Sequence, residues 1–156
     1  MIVTEHILQD IVSQVGLIVV NNDYSKEPSF MWGNEKQLMK YLKVKKDKIY
    51  PLVWLLPSDE NYKAGNLVNR DCEIIIATRE TRDDYLNDTR WNTSFDIVLN
   101  PLVDKLVNKI KSHHQTVDVK EFEILKAPNY SKNNKNGTID HWDAIKLSIN
   151  ITFKEC

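Results

Sequence analysis

The last stretch of the chain alternates without a break. Ile145, Leu147, Ile149, Ile151 and Phe153 share one parity, and Lys146, Ser148, Asn150, Thr152 and Lys154 share the other. Such alternation predicts a strand with one face on a core and one on solvent or a partner. Upstream, Val117 and Val119 hold one parity and Phe122 and Ile124 the other, a slip that predicts a bulge near Lys120-Glu121. Between the two runs lies a polar stretch, 127–141. The chain is therefore expected to end in a hairpin with a long projecting tip.

Other elements follow from the same reading. Thr4 is placed to cap a helix in which Ile7, Leu8, Ile11, Val12 and Val15 share a face, with Gly16 as its stop. Leu17–Val20 reads as a short strand ended by Asn22-Asp23, and residues 23–33 read as irregular. Asn34 and Gln37 form a capping pair for a short helix through Leu42. Ile49–Leu56 is apolar on both parities, the mark of a strand covered on both sides, with Pro51 near its start. A polar loop, Ser58–Arg70, should bring the strand Cys72–Thr78 back antiparallel. Residues 79–92 read as a charged loop. The strongest helix spans 94–112, with Thr93 as its cap and Phe95, Val98, Leu99, Leu102, Val103, Leu106, Val107 and Ile110 on one stripe. Pro101 inside that stripe predicts a kink, or a restart with Asn100 as a second cap. The order predicts one α+β domain over residues 1–156. Its antiparallel or mixed sheet carries helices on one face and ends in the long C-terminal hairpin.

Composition narrows the function classes. In a chain of 156 residues, 42% hydrophobic residues suffice for a core, and the net charge of -1 gives no global attraction to nucleic acid or anionic lipid. No apolar run nears the roughly 20 residues that a membrane helix needs. The opening MIVTEHILQD carries acids where an export signal carries bases, so no such signal is expected. Cys72 and Cys156 are isolated, which disfavours a disulfide framework or zinc site and suits a reducing cytoplasm. Lys43, Lys45, Lys46 and Lys48 lack interleaved aromatics, so they read as a solvated loop before a nucleic-acid patch.

Candidate chemistry is sparse. His113 and His114 end the long helix, where neighbours in sequence should point apart and no carboxylate or thiol spacing supports a metal. Asp140-His141-Trp142-Asp143 is explained by turn chemistry leading into a strand. The rival enzymatic pattern is Asp118 with Lys120, joined by Asp71 or Glu73, as in a small metal-dependent nuclease. The proposed bulge would spoil that geometry. No cofactor is expected. Trp54 reads as core, while Trp91 and Trp142 stand beside polar loops as core rims or interface anchors.

Several of these features together resemble the tail-terminator and tail-completion proteins of tailed bacteriophages. They are Tyr50-Pro51 opening the first central strand, the strand Asp71–Thr78, the charged loop with Arg82 and Asp83, the amphipathic helix 94–112 and the closing hairpin. The resemblance covers most of the chain and rests on element order. It implies a small non-enzymatic α+β subunit that forms a ring at the head-tail junction. The implied ring is a hexamer or dodecamer, in the virion neck or tail after assembly in the host cytoplasm. Neighbouring neck, connector and tail proteins would be its partners. DNA would only pass through the lumen, without specific binding, and no membrane is involved. The stretch before Asn34 and the long tip depart from the plainest versions and leave another connector ring or a tail-hub adaptor as alternatives. The partner-facing residues expected on this reading are Tyr130, Lys132, Lys135, Trp142, Arg82 and Trp91.

Overall fold

A computed structural model describes residues 2–21, 24–45, 49–79, 91–127 and 142–155. Helix α1 (Thr4–Ser13) leads to a two-stranded ribbon of β1 (Ile18–Asn21) and β2 (Tyr24–Lys26). Strand β3 (Ser29–Trp32), helix α2 (Glu35–Lys45) and strands β4 (Leu52–Leu55), β5 (Glu60–Lys63) and β6 (Leu67–Arg79) follow. A π-helical segment, Trp91–Leu99, runs into helix α3 (Asn100–Ser112), and strands β7 (Thr116–Ala127) and β8 (Trp142–Lys154) close the chain. The expected α+β class with a C-terminal hairpin holds.

The main sheet has six strands in the order β3-β4-β6-β8-β7, with β5 paired to the first part of β6. Only the β3–β4 pairing is parallel. Strands β6 and β8 pair along their whole length, from Leu67 opposite Lys154 to Arg79 opposite Trp142. This long register puts every apolar residue of the final alternating run on one face. Ile145, Leu147, Ile149, Ile151 and Phe153 pack there with Ile74 and Ile76 of β6. Helix α1 covers that face through Ile7, Leu8, Ile11 and Val12, and α3 through Leu102, Val103, Leu106, Val107 and Ile110. The slip in β7 is real: its register with β8 shifts between Val119 and Phe122, and again between Thr116 and Asp118.

Helices cover both faces rather than the one expected, because the opposite face carries a second, smaller core. Leu38, Met39 and Leu42 of α2 pack there on Leu52, Trp54, Ile75, Ala77, Trp142 and Ala144. Strand β4 is therefore apolar on both parities because it has a helix layer on each side. The predicted capping pair opens α2. Gln37 N–H donates to Asn34 Oδ1 and Asn34 N–H to Gln37 Oε1, both at 2.8 Å. Gly33, at φ +151, leads into it, and an added Cβ would stand 2.6 Å from Gln37 Oε1.

Three expectations change. Thr4 does not cap α1; Val3 is the N-cap residue, without a side-chain bond, and the Thr4 hydroxyl turns to a tertiary partner. The stripe 94–112 does restart near Pro101 as expected, but the part before it is a π-helical segment that passes to α-helix at Asn100, and Leu99 rather than Asn100 is the cap. Proline has no N–H to give and its ring crowds the carbonyl four residues back, so a regular α-turn cannot cross it. The polar segment Ser58–Arg70 is not a plain loop, because β5 and the start of β6 fold it into a hairpin through Gly65 and Asn66, both at positive φ. Strands β2 and β3 lie in a segment read as irregular; each is short and neither alternates clearly in sequence.

Candidate assembly surface

Helix α2 covers only one end of its face of the sheet. Beyond it, β6, β8 and β7 present polar side chains. Asn69 and Asn150 exchange Nδ2–H···Oδ1 bonds at 2.8 and 3.0 Å. Asn69 Nδ2 also donates to Thr152 Oγ1 at 2.9 Å, and Asn150 Nδ2 to Asp71 Oδ1 at 2.6 Å. Ser148 Oγ donates to Glu73 Oε2 at 3.1 Å. These cross-strand pairs follow directly from the β6–β8 register, which sets Asp71 opposite Asn150 and Glu73 opposite Ser148. The same face holds an open depression of about 710 Å³, flanked by Asp71, Glu73, Lys120, Glu121, Glu123 and Asn150.

Strand β7 borders this face and ends the sheet. Among the described residues no strand pairs with its outer side. It is also poorly covered by side chains: Phe122, Ile124 and Leu125 are 39%, 44% and 62% exposed. Lys111 of α3 reaches over the Phe122 ring, 5.6 Å from its centroid. A long open edge strand with exposed apolar side chains is a template for pairing with another chain.

Polar groups also lock the other face. Arg70 is 3% exposed and holds the start of α1 against the β5 hairpin. Its Nη1 donates to Thr4 Oγ1 (2.7 Å), Glu5 Oε1 (2.7 Å) and Glu60 Oε1 (3.1 Å). Its Nε donates to Ser58 Oγ at 2.8 Å, and Nη2 to the Leu56 carbonyl at 3.2 Å. Burial alone would raise the Glu5 pKa. Hydrogen bonding and charge from Arg70, with the Glu5 backbone N–H and Thr4, outweigh it and hold the carboxyl below its usual range. Burial among apolar side chains pushes the Cys72 thiol up to about 12.

At the opposite end of α1, His113 Nε2 lies 2.8 Å from Asp10 Oδ2 while its Nδ1 accepts the Gln115 N–H at 3.3 Å. His113 and His114 do not point apart: their ring centroids are 4.4 Å from each other. The chain has already left the helix at His113, whose ψ is 138, so helical spacing no longer separates the two side chains.

The expected site residues fare unequally. Trp142 is a correction: it is 0% exposed, a wall of the second core rather than a surface anchor, because its register opposite Arg79 sets it on the α2 side. Trp91 opens the π-helical segment, and its side chain lies outside the described structure. Arg82, Tyr130, Lys132 and Lys135 lie outside the described residues, as do most of the charged loop 79–92, most of the 127–141 tip and the pair Asp140-His141. Of the nuclease pattern, Asp118 is the one residue that does not line the depression. Lys120 joins Asp71 and Glu73 at the depression, whereas Asp118 sits opposite Thr152, beyond the register shift. Among the described residues no three His, Cys, Asp or Glu side chains come together to hold a metal. None of their helices is long and apolar enough to cross a membrane.

Sequence reading missed the exposed edge residues Phe122, Ile124 and Leu125, the acids Glu121 and Glu123 beside them, and the buried Arg70. The apolar-polar alternation of β7 suggested a half-buried strand, and only the sheet order reveals that no described strand lies beyond it. No protein-family model matches the chain, and no curated protein sequence matches it either.

Proposed function

We propose that the protein is a ring-forming structural subunit of a tailed-phage neck or tail. On this reading it is of the tail-terminator or tail-completion kind and joins the tail to the head-tail connector. The observation that carries the reading is the β7 edge, which among the described residues has no partner on its outer side and exposes Phe122, Ile124 and Leu125 beside a polar face. Natural sheets usually blunt such edges, and one left open on a small domain suits a chain that works as one of many copies. The element order and the closing hairpin of the resemblance supply the phage context. A different connector ring or a tail-hub adaptor would use the same edge.

Light scattering and negative-stain microscopy of the purified protein test the proposal. Closed rings of several copies, able to cap purified tails, are the expected result. A monomer with metal-dependent DNA cleavage that Asp118→Ala abolishes would overturn it in favour of the nuclease.

A further inference from the structure

The two ends of the sheet differ in a complementary way. At the β7 end, the face that α2 leaves open carries Asp71, Glu73, Glu121 and Glu123 against Lys120 and Lys146. On the same face α2, which follows β3 in the chain, lies over β4, the end of β6 and the start of β8, and seats on Trp54 of β4 through Tyr41, 5.5 Å between ring centroids. The solvent side of α2 is basic. Lys36, Lys40 and Lys43 are exposed and recur at four- and three-residue spacing, so they form one stripe, with Val44 70% exposed beside it. Within the described residues, the ion pairs leave Glu121, Glu123, Lys36, Lys40 and Lys43 uncompensated.

The strand directions fit the same junction. Strand β3 runs parallel to β4, and each later step across the sheet is antiparallel, so β7 and β3 run in opposite directions. A second copy placed beyond β7 with its own β3 at the border would continue the sheet antiparallel. Its α2 would then lie on the same side of the continued sheet as the acidic face. The exposed apolar side chains of the two borders, Phe122, Ile124 and Leu125 on one and Met31 and Trp32 on the other, would meet at the seam.

We infer that the occupant of the β7 edge and its acidic face is a second copy of this chain, docked head to tail through β3 and the Lys36–Lys40–Lys43 stripe of α2. Unlike patches meet in such a contact, so repeating it closes a ring or extends a filament. An acidic face repels nucleic-acid phosphates and attracts ammonium groups, which favours this basic stripe over DNA as the occupant. The inference rests on the ring proposal and names the surfaces that would build the ring.

The test uses two exposed-surface variants of the full chain, Glu121→Lys with Glu123→Lys, and Lys36→Glu with Lys40→Glu. Melting curves serve as the folding control. Wild type is expected to assemble, and each double variant alone to fall to the mass of a single chain. An equimolar mixture should regain assembly, because each variant's altered patch faces the other's matching one. Variants that assemble as wild type does, or a mixture that stays dissociated, would overturn the inference while leaving the ring proposal standing. Open filaments lost and regained in the same pattern would support the inference and sink the ring. A wild type that is monomeric at all concentrations would sink both.

Discussion

At the residue scale, Arg70 does the most. A buried guanidinium with five partners ties α1, β5 and the 56–58 turn together. Replacing it removes the charge and strands its acceptors. Arg70→Met should cost about 2–4 kcal/mol in denaturant unfolding, with the fold retained. Glu5 gives the same clamp an acid limit. Its folded pKa is below its unfolded value, so its contribution is complete above the unfolded value and disappears as pH falls through the folded one. Melting temperature should therefore drop as pH falls below about 4.5, the ordinary value, and Glu5→Gln should show a shallower drop over that range. Cys72 makes the opposite statement about reactivity. With its thiol pushed up to about 12, it should resist Ellman's reagent in the native state of a Cys156→Ser variant and react once the protein unfolds. Rapid native labelling would show that β6 is more accessible than its burial implies.

At the element scale, α3 and the π-helical segment before it form one side of the main core. Leu106 is fully buried there. Leu106→Ala should destabilise by about 2–5 kcal/mol through the cavity it leaves. Leu106→Asp should give insoluble or unfolded protein, because the fold would then bury an unpaired charge. A soluble Leu106→Asp variant with normal melting would mean that this helix does not pack as described. Strand β7 contrasts with it. Among the described residues nothing pairs with its outer side, and its two register shifts interrupt the regular ladder, a feature that limits uncontrolled edge pairing.

At the scale of the whole molecule, α2 covers one face of the sheet only over β4, β6 and the start of β8, and among the described residues β7 ends the strand order unpaired on its outer side. The proposed head-to-tail contact between identical copies uses that asymmetry. The proposed assembly gives the segment 130–136 a test as well. Its Asn, Lys, Ser and Tyr130 give it little to bury, so replacing it with a short Gly-containing turn should leave melting unchanged and reduce particle assembly. Normal melting together with complete particles would show that the tip has no partner.

The sequence by itself determined what depends on neighbours along the chain. The alternation of β8, the α1 and α3 stripes, the Asn34–Gln37 capping pair and the bulge near Lys120-Glu121 are all written in local spacing, and each is found where the spacing puts it. Burial of β4 on both faces was legible for the same reason, since an apolar strand on both parities has nowhere else to go. Tertiary structure decided the rest. Strand β3 exists because β4 offers it a parallel edge, not because Ser29–Trp32 alternates. Thr4 gave up a local cap because Arg70, 66 positions away, offered a charged donor in a buried site. Trp142 became core because the β6–β8 register turned it toward α2. The candidate assembly surface belongs to this second group. Exposure of β7 is a property of the strand order, and strand order is set by pairings between segments far apart in the chain, which no local pattern encodes.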